Sequence, residues 1–264
     1  MRVARNFRGW FCLILTLLAT CVAAPTATGE DFYLTDGRAF PGQLWFARSG
    51  SPERLFHRRE VTVNQAFPRA AMKLGQVAVG PDDKVYFVSG LDGYVIHLLD
   101  GKNEVVSFEF PGQVRDVACS DEEHTVYFSV VPTPQNNEPL ADGKIYRRDI
   151  WAGQPSEVAT IRQSQVGGNW WGTFTVRDNV FYLATLDSPS RILKLTTGEP
   201  EPFATVNGYK VQGLANGPGD TFYFTDGGDK VYRTADFQTI EPVFHGSRPF
   251  TDVNLKSAAE TPQP

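Results

Sequence analysis

Thr221-Phe222-Tyr223-Phe224-Thr225-Asp226-Gly227 is one of five versions of a single phrase. The others are Phe32-Tyr33-Leu34-Thr35-Asp36-Gly37, Val85-Tyr86-Phe87-Val88-Ser89-Gly90, Val126-Tyr127-Phe128-Ser129 and Val180-Phe181-Tyr182-Leu183-Ala184. Each is a β-rich run around a Tyr, and most lead through a turn into a second β-rich run. Self-similarity at this period points to a radial repeat.

Aligning the copies yields four strand positions per repeat. The innermost is short and mostly apolar: Val77-Ala78-Val79, Val117-Ala118-Cys119, Thr173-Phe174-Thr175 and Leu214-Ala215-Asn216. The Tyr phrase is second. The third alternates apolar and polar residues, as in Lys144-Ile145-Tyr146-Arg147 and Lys230-Val231-Tyr232-Arg233. The outermost carries charge, as in Arg54-Leu55-Phe56-His57 and Pro242-Val243-Phe244-His245. Apolar inside and polar outside is what a four-stranded propeller blade requires.

The first repeat lacks its innermost strand, and the C-terminus supplies an orphan of that type, Asp252-Val253-Asn254-Leu255. Together they make one blade, which removes two open sheet edges. The expected fold is therefore an all-β, five-bladed β-propeller of four-stranded antiparallel blades, closed by a C-terminal strand completing the N-terminal blade. The Tyr residues are spaced 53, 41, 55 and 41 apart. The long gaps match a Pro/Asn-rich insertion at 132–142 and a long connection at 61–74. Six blades is the alternative, with the sixth degenerate within 61–74, where there are too few residues for four strands.

Residues 1–29 read as a signal peptide and short linker. Arg2, Arg5 and Arg8 precede an apolar core of about 15 residues, too short for a membrane span. Cleavage after Ala23 or Gly29 fits small residues at the positions before the cut. The propeller then occupies 30–255, and 256–264 reads as a disordered tail. Export is expected, to the periplasm or outside the cell, with no transmembrane span in the mature protein. Leu18-Ala19-Thr20-Cys21 approaches a lipoprotein box, but Thr20 fits it poorly.

Loss of three Arg and no acid takes the formal net charge from −5 to −8. Such acidity argues against nucleic acid and anionic membranes as partners. Only Cys119 remains in the mature chain, so no internal disulfide supports the fold. Its place in an inner strand reads as a small buried apolar residue. His57, His97, His124 and His245 lack zinc spacing, and there is no nucleophile elbow, Cys/His pair or phosphate loop.

The run Gly213-Leu214-Ala215-Asn216-Gly217-Pro218-Gly219-Asp220-Thr221-Phe222-Tyr223-Phe224-Thr225-Asp226-Gly227 resembles repeats of two related groups. These are the NHL-repeat propellers and the regucalcin/gluconolactonase group of calcium-dependent hydrolases. Gln76-Val77-Ala78-Val79-Gly80-Pro81-Asp82-Asp83 is a second such phrase. The resemblance implies a propeller fold and, for the second group, a lactonase-type reaction with Ca²⁺ as cofactor. Those groups usually have six blades. The hydrolases bind metal through an early Glu, then an Asn and an Asp. No matching Glu precedes Val77, while Asn216 and Asp226 fall in a similar phrase; Asn216 reads equally as a turn residue.

In a propeller, the connections entering the innermost strands share a face with those leaving the second strands, around the mouth of the central channel. Ligands usually bind there. Entering residues are Gln76, Arg115-Asp116, Trp170-Trp171, Gln212 and Thr251-Asp252. Asp36, Asp92, Asp187 and Asp226 leave the second strands, and Lys210 and Arg248 are near. The expected ligand-binding set is Arg115, Asp116, Trp170, Trp171, Gln212 and Asp252, and the expected metal set is Asp116, Asp252, Asn216 and Asp226. Ca²⁺ wants six to eight oxygens, which converging carboxylates can offer. The aspartates after the second strands also read as ordinary turn residues. Asp116 and Asp252 read as ligand groups or as acceptors for loop backbone. The Trp pair offers a stacking face or packs between blades.

Two functions remain open at this point. One is an exported binding or scaffold propeller for a small molecule, carbohydrate or protein. The other is a calcium-dependent lactonase-like hydrolase or lyase.

Overall fold

In the computed structural model, the second-strand phrase is buried on both sides, and its alternate residues serve different interfaces. The structure describes residues 30–36, 43–48, 56–60, 74–81, 84–89, 95–100, 103–109, 113–120, 125–130, 142–149, 152–166, 171–247 and 249–255.

The strands follow in chain order. The first group is β1 (Asp31–Asp36), β2 (Gln43–Arg48) and β3 (Phe56–Glu60). Next come β4 (Leu74–Val79), β5 (Val85–Ser89), β6 (Val95–Asp100) and β7 (Asn103–Glu109). Then follow β8 (Val114–Cys119), β9 (Thr125–Val130), β10 (Gly143–Asp149) and β11 (Ala152–Ile161). A single helical turn, α1 (Gln163–Val166), precedes β12 (Trp171–Arg177), β13 (Val180–Thr185), β14 (Ser190–Leu195) and β15 (Glu201–Val206). The last are β16 (Gly213–Asn216), β17 (Phe222–Thr225), β18 (Lys230–Thr234), β19 (Glu241–His245) and β20 (Asp252–Leu255).

They form five four-stranded antiparallel sheets among the described residues, four of them from consecutive strands. The fifth has the order β20-β1-β2-β3, with Leu34 opposite Val253 and Thr35 opposite Asp252. The innermost strands neighbour one another in a cycle: β4 lies beside β8, β8 beside β12, β12 beside β16, β16 beside β20, and β20 beside β4. This all-β arrangement is consistent with a propeller.

Period-2 alternation explains the packing. Tyr223 joins Phe32, Leu34, Trp45 and Val253 in one core cluster. Its neighbours Phe222 and Phe224 join Ala184, Ile192 and Val206 in the next. Likewise Tyr127 belongs to the cluster with Phe174 and Leu183, whereas Val126 and Phe128 pack with Ala78 and Tyr86. The Val, Leu, Ile and Phe side chains among these each contribute about 1.5–3 kcal/mol by leaving water. The sheets are thus held face to face by residues of the repeated phrase.

Local details depart from the sequence reading. The outer strand of the first sheet is Phe56–Glu60, displaced by two to three residues from the expected Arg54 start. β11 runs for ten residues, accommodated by register shifts at Ile145/Tyr146 and Arg147/Asp149. The turn α1 was not expected; its Val166 side chain is fully buried in the cluster around Phe174. Cys119 forms no disulfide and is half-buried at the margin of its cluster, where a small buried apolar residue was expected. Asp178-Asn179 forms the two-residue turn between β12 and β13, with φ of 51° and 61°, as a primed hairpin turn requires. The leader, most of the 61–74 connection and the tail lie outside the described residues, as do Asp92, Trp170 and Arg248.

Candidate functional site

Among the described residues, each innermost strand pairs by backbone hydrogen bonds with one strand only, so the N–H groups on its other edge need other acceptors. By sheet register the inner strands align on Val77, Val117, Phe174, Leu214 and Val253, so Phe174, and not Thr173 as the sequence reading had it, is the counterpart of Val77 and Val117. The residues immediately before them are Gln76, Asp116, Thr173, Gly213 and Asp252. These five occupy equivalent places on β4, β8, β12, β16 and β20.

Three of the five reach to the next sheet in the cycle. The Val77 N–H donates to Asp252 Oδ2 at 2.6 Å. The Phe174 N–H donates to Asp116 Oδ2 at 2.6 Å. The Leu214 N–H donates to Thr173 Oγ1 at 3.2 Å. The other two N–H groups follow Gly213 and Gln76 in the cycle and turn to their own strand's aspartate. Val117 donates to Asp116 Oδ1 at 2.7 Å, and Val253 donates to Asp252. Two carboxylates and one hydroxyl therefore satisfy all five edge donors. Gln76 serves a carbonyl instead, its Nε2 donating to the Gln212 carbonyl at 3.3 Å.

Gly213 is required at its place. A Cβ there would lie 2.2 Å from Asp252 Oδ1 and 2.5 Å from Asp252 Cα. Asp252 thus fills the space that a side chain on β16 would need.

Asp116 and Asp252 are both buried. Burial raises the Asp116 carboxyl to about 7, against the opposing effect of the Phe174 N–H, the Thr173 hydroxyl, the Val117 N–H and the Arg115 charge. Burial also raises Asp252 well above the ordinary carboxylate range, and the Asp116 charge adds to it. No Lys, Arg or His is among the buried side chains described.

The structure brings Asp116, Asp252 and Gln212 to one end of the inner strands. Gln212 is half-buried, donates its N–H to the Thr225 carbonyl at 2.8 Å, and lays its side chain over Gly227. Arg115 is exposed beside Asp116. Trp171 begins β12 at this end, but its side chain is fully buried with Ile145, Ile161, Val166 and Leu183. An indole packed between sheets offers no stacking face, so the packing alternative describes it.

The expected metal set is not assembled. Asn216 ends β16, three residues from Gly213 and so about 10 Å away along the strand. There its Nδ2 donates to the Val176 carbonyl of β12. Asp226 accepts from the Gly228 N–H at 2.9 Å and from the Tyr232 hydroxyl at 3.4 Å, which is the work of a turn residue. No group of three or more His, Cys, Asp or Glu arranged to hold a metal occurs among the described residues. Asp187 likewise bonds Arg191 within its own turn, at 2.6 Å.

Thr173 was missed as a functional position, as were the hydroxyls Thr35, Ser129 and Thr225. Ser129 stands opposite Asp116, Thr225 opposite Gly213, and Thr35 opposite Asp252. Aligning Phe174, rather than Thr173, with Val77, Val117 and Leu214, and reading the hydroxyl two places after Tyr33, Tyr127 and Tyr223, would have exposed both sets.

No protein-family model matches the chain, and no curated protein matches it. Among solved structures, it is similar to the PQQ-bound form of an aldose sugar dehydrogenase from Streptomyces coelicolor. Identity is 16%, over 66% of this chain and 61% of that one, with a TM-score of 0.41. A calcium-binding regucalcin from Agrobacterium tumefaciens strain C58 matches at 13% identity, over 64% and 58%, with a TM-score of 0.40. A glutaminyl cyclase from Myxococcus xanthus matches at 11% identity, over 70% and 71%, with a TM-score of 0.42. All three are β-propeller proteins. The matches span about three-fifths of the first two.

Proposed function

We propose that this chain is an exported five-bladed β-propeller, closed by β20, that binds a small molecule, a carbohydrate or a protein at its channel mouth without transforming it. The observation that carries this reading is the use of the two axial carboxylates. Asp116 and Asp252 are buried and turned to strand N–H groups, at 2.6 Å from Phe174 and Val77. They serve the scaffold first. At that end, among the described residues, Arg115 is exposed and Gln212 is half-buried over Gly227 of the Asp226 turn. Such groups suit recognition of an anionic or hydroxyl-rich ligand.

One observation favours the enzyme reading. A carboxyl raised to about 7, as Asp116 is, suits a general acid or base at neutral pH. The second reading is therefore a calcium-dependent lactonase-like hydrolase or lyase using Asp116.

A single comparison separates the two. The purified mature chain is assayed on a panel of lactones with Ca²⁺ and with chelator, and screened in parallel by thermal shift against sugars, sugar acids and peptides. Binding without turnover, weakened by Arg115→Ala or Gln212→Ala, is the expected result. Turnover that chelator and Asp116→Ala both abolish would overturn it. Sequencing the exported protein's N-terminus tests the leader, with Ala24 or Glu30 as the expected first residue.

A further inference from the structure

The outside of the sheets carries a second repeated feature. Among the described residues, each outermost strand pairs on one edge only. Its other edge therefore offers N–H and C=O groups to any strand that comes near. In all five sheets the outermost strand is one residue too long for its partner at one point. The register shifts between Leu44 and Trp45, Leu98 and Leu99, Ile145 and Tyr146, Ile192 and Leu193, and Val231 and Tyr232. The extra residues are Arg58, Val105, Val158, Phe203 and Val243. Each marks a β-bulge, which leaves one residue unpaired, bends the strand and sharpens its twist.

Four of the five bulges occupy one level of the sheet. Leu44, Ile145 and Ile192 stand opposite Thr35, Ser129 and Ala184, each two places after the Tyr of the repeated phrase. Tyr232 stands opposite Phe224, which puts the Val231/Tyr232 shift at the same level. In the β4–β7 sheet the shift lies two residues further along, with Leu98 opposite Tyr86. The bulge thus belongs to the repeat itself and not to one local sequence.

The residues at these points carry a hazard and its remedy together. Val158 and Phe203 are each 43% exposed, and they are the exposed large hydrophobic side chains among the described residues. Both are the extra residue of a bulge. On a flat, open edge strand, such side chains would mark a site of aggregation. Phe203 packs edge-on against Tyr182 at 5.3 Å and Phe237 at 6.1 Å, which fixes it without covering it. Two bulges follow directly on an acid and a proline, Glu201-Pro202 and Glu241-Pro242, and both pairs are exposed. β11 carries Pro155 within its second register shift. Proline cannot donate to a ladder, and a charge resists being covered by an added strand. Bulge, proline and carboxylate therefore act in the same direction.

We propose that the outer-strand bulge closes the rim of the molecule to strand addition. The chain then stays discrete although its outer edges are open, and a partner can meet the rim only through side chains. This device lies at the rim and is independent of any ligand at the mouth, so either idea can fail without the other.

The test removes a bulge and leaves its flanking pairs in place. Deleting Phe203 keeps Ile192 opposite Ala204 and Leu193 opposite Pro202. Deleting Val158 keeps Ile145 opposite Ala159 and Tyr146 opposite Glu157. The Phe203 deletion is combined with Pro202→Thr, so that no proline guards the straightened edge. Full mature chains are compared by light scattering over a concentration series, with thermal unfolding to establish that each is folded. The expected result is a monomeric parent and two deletion variants whose mass rises with concentration to the dimer value and above. Amides of β15 or β11 exchange more slowly in the associated form. Phe203→Ser and Val158→Ser keep the bulge and leave the mass at the monomer value. Folded deletion variants that stay monomeric would overturn the proposal. So would a parent that associates and is returned to monomer by Phe203→Ser or Val158→Ser, since the bulge residues would then be a contact between copies. Should the deletions unfold the chain, Pro202→Thr alone decides. With its bulge intact it is expected to remain monomeric, and association would show that the proline, not the bulge, guards the edge.

Discussion

Asp252 Oδ2 accepts the Val77 N–H at 2.6 Å, joining the last strand to β4 across 175 positions of the chain. The same strand pairs with β1, where Thr35 stands opposite Asp252. Thr35 Oγ1 in turn donates to the Gly75 carbonyl at 2.9 Å. β20 and β1 are thus fastened to one another and to β4 by a few polar contacts.

Replacing Asp252 by Ala removes the acceptor for two buried N–H groups, those of Val77 and Val253. Each orphaned donor costs about 1–3 kcal/mol. The expected outcome is a loss of several kcal/mol in denaturant unfolding, with early fraying of β20 detectable by hydrogen exchange at Val253 to Leu255. A variant as stable as the parent would show that water replaces the carboxylate freely.

The acid pair sets a pH dependence opposite to that of ordinary surface carboxylates. Asp116 is raised from 3.8 to about 7 in the folded state, first by burial. The folded protein therefore holds this proton more tightly than the unfolded chain. Its contribution to stability is full below pH ~4, falls as pH rises from about 4 to about 7, and is level above that. The exposed acids Glu157, Asp229 and Asp236 are lowered by their hydrogen bonds and act in the reverse sense. Subtracting the curve of Asp116→Asn from that of the parent, both in chelator, isolates the effect. The expected difference has its slope between pH 4 and 7 and is on the order of a few kcal/mol in total. A difference curve flat over that interval would contradict the assignment.

Gly213 marks where β16 and β20 come closest. An added Cβ would lie 2.2 Å from Asp252 Oδ1, 2.5 Å from Asp252 Cα and 2.9 Å from the Val253 nitrogen. The obstacle includes backbone, which cannot swing aside as a flexible side chain would. Gly213→Ala is expected to cost at least about 1–3 kcal/mol by overpacking. Combined with Asp252→Ala it should cost less than the two separate losses added together, because the clash includes the carboxylate. A double-mutant cycle in urea measures this coupling. Simple additivity would count against it.

The repeated Tyr phrase was legible because aromatic and β-branched residues buried on both faces leave a mark that spacing alone reveals. Tyr33, Tyr86, Tyr127 and Tyr223 are all buried as that mark implies. The pairing of Asp252-Val253-Asn254-Leu255 with β1 was legible by elimination, since one repeat lacked an inner strand. The axial positions were only half legible. Their occupants are Gln76, Asp116, Thr173, Gly213 and Asp252, five places of equal geometry filled by four residue types. What they share is an N–H to be capped on the next strand, and a backbone requirement leaves no single side-chain signature. Asn216 and Asp226 misled for a related reason. Their phrase marks strand, turn and strand, and they do the work of a strand end and a turn.

Trp171 and Arg115 stand at corresponding ends of β12 and β8, and one distinction separates them. Trp171 is fully buried between sheets, whereas Arg115 is exposed. Trp171→Ala should cost about 3–5 kcal/mol, as large truncations in packed cores do. Any loss of ligand binding should then follow the loss of folded protein. Arg115→Ala should leave stability within about 0.5 kcal/mol, as surface changes usually do, while weakening an anionic or hydroxyl-rich ligand. Measuring unfolding and ligand affinity on both variants gives two independent answers. Should folded Trp171→Ala lose affinity at unchanged stability, the indole reaches the ligand and the outward-facing surface extends beyond Arg115 and Gln212. Should Arg115→Ala bind as the parent does, the recognition surface lies elsewhere on the propeller.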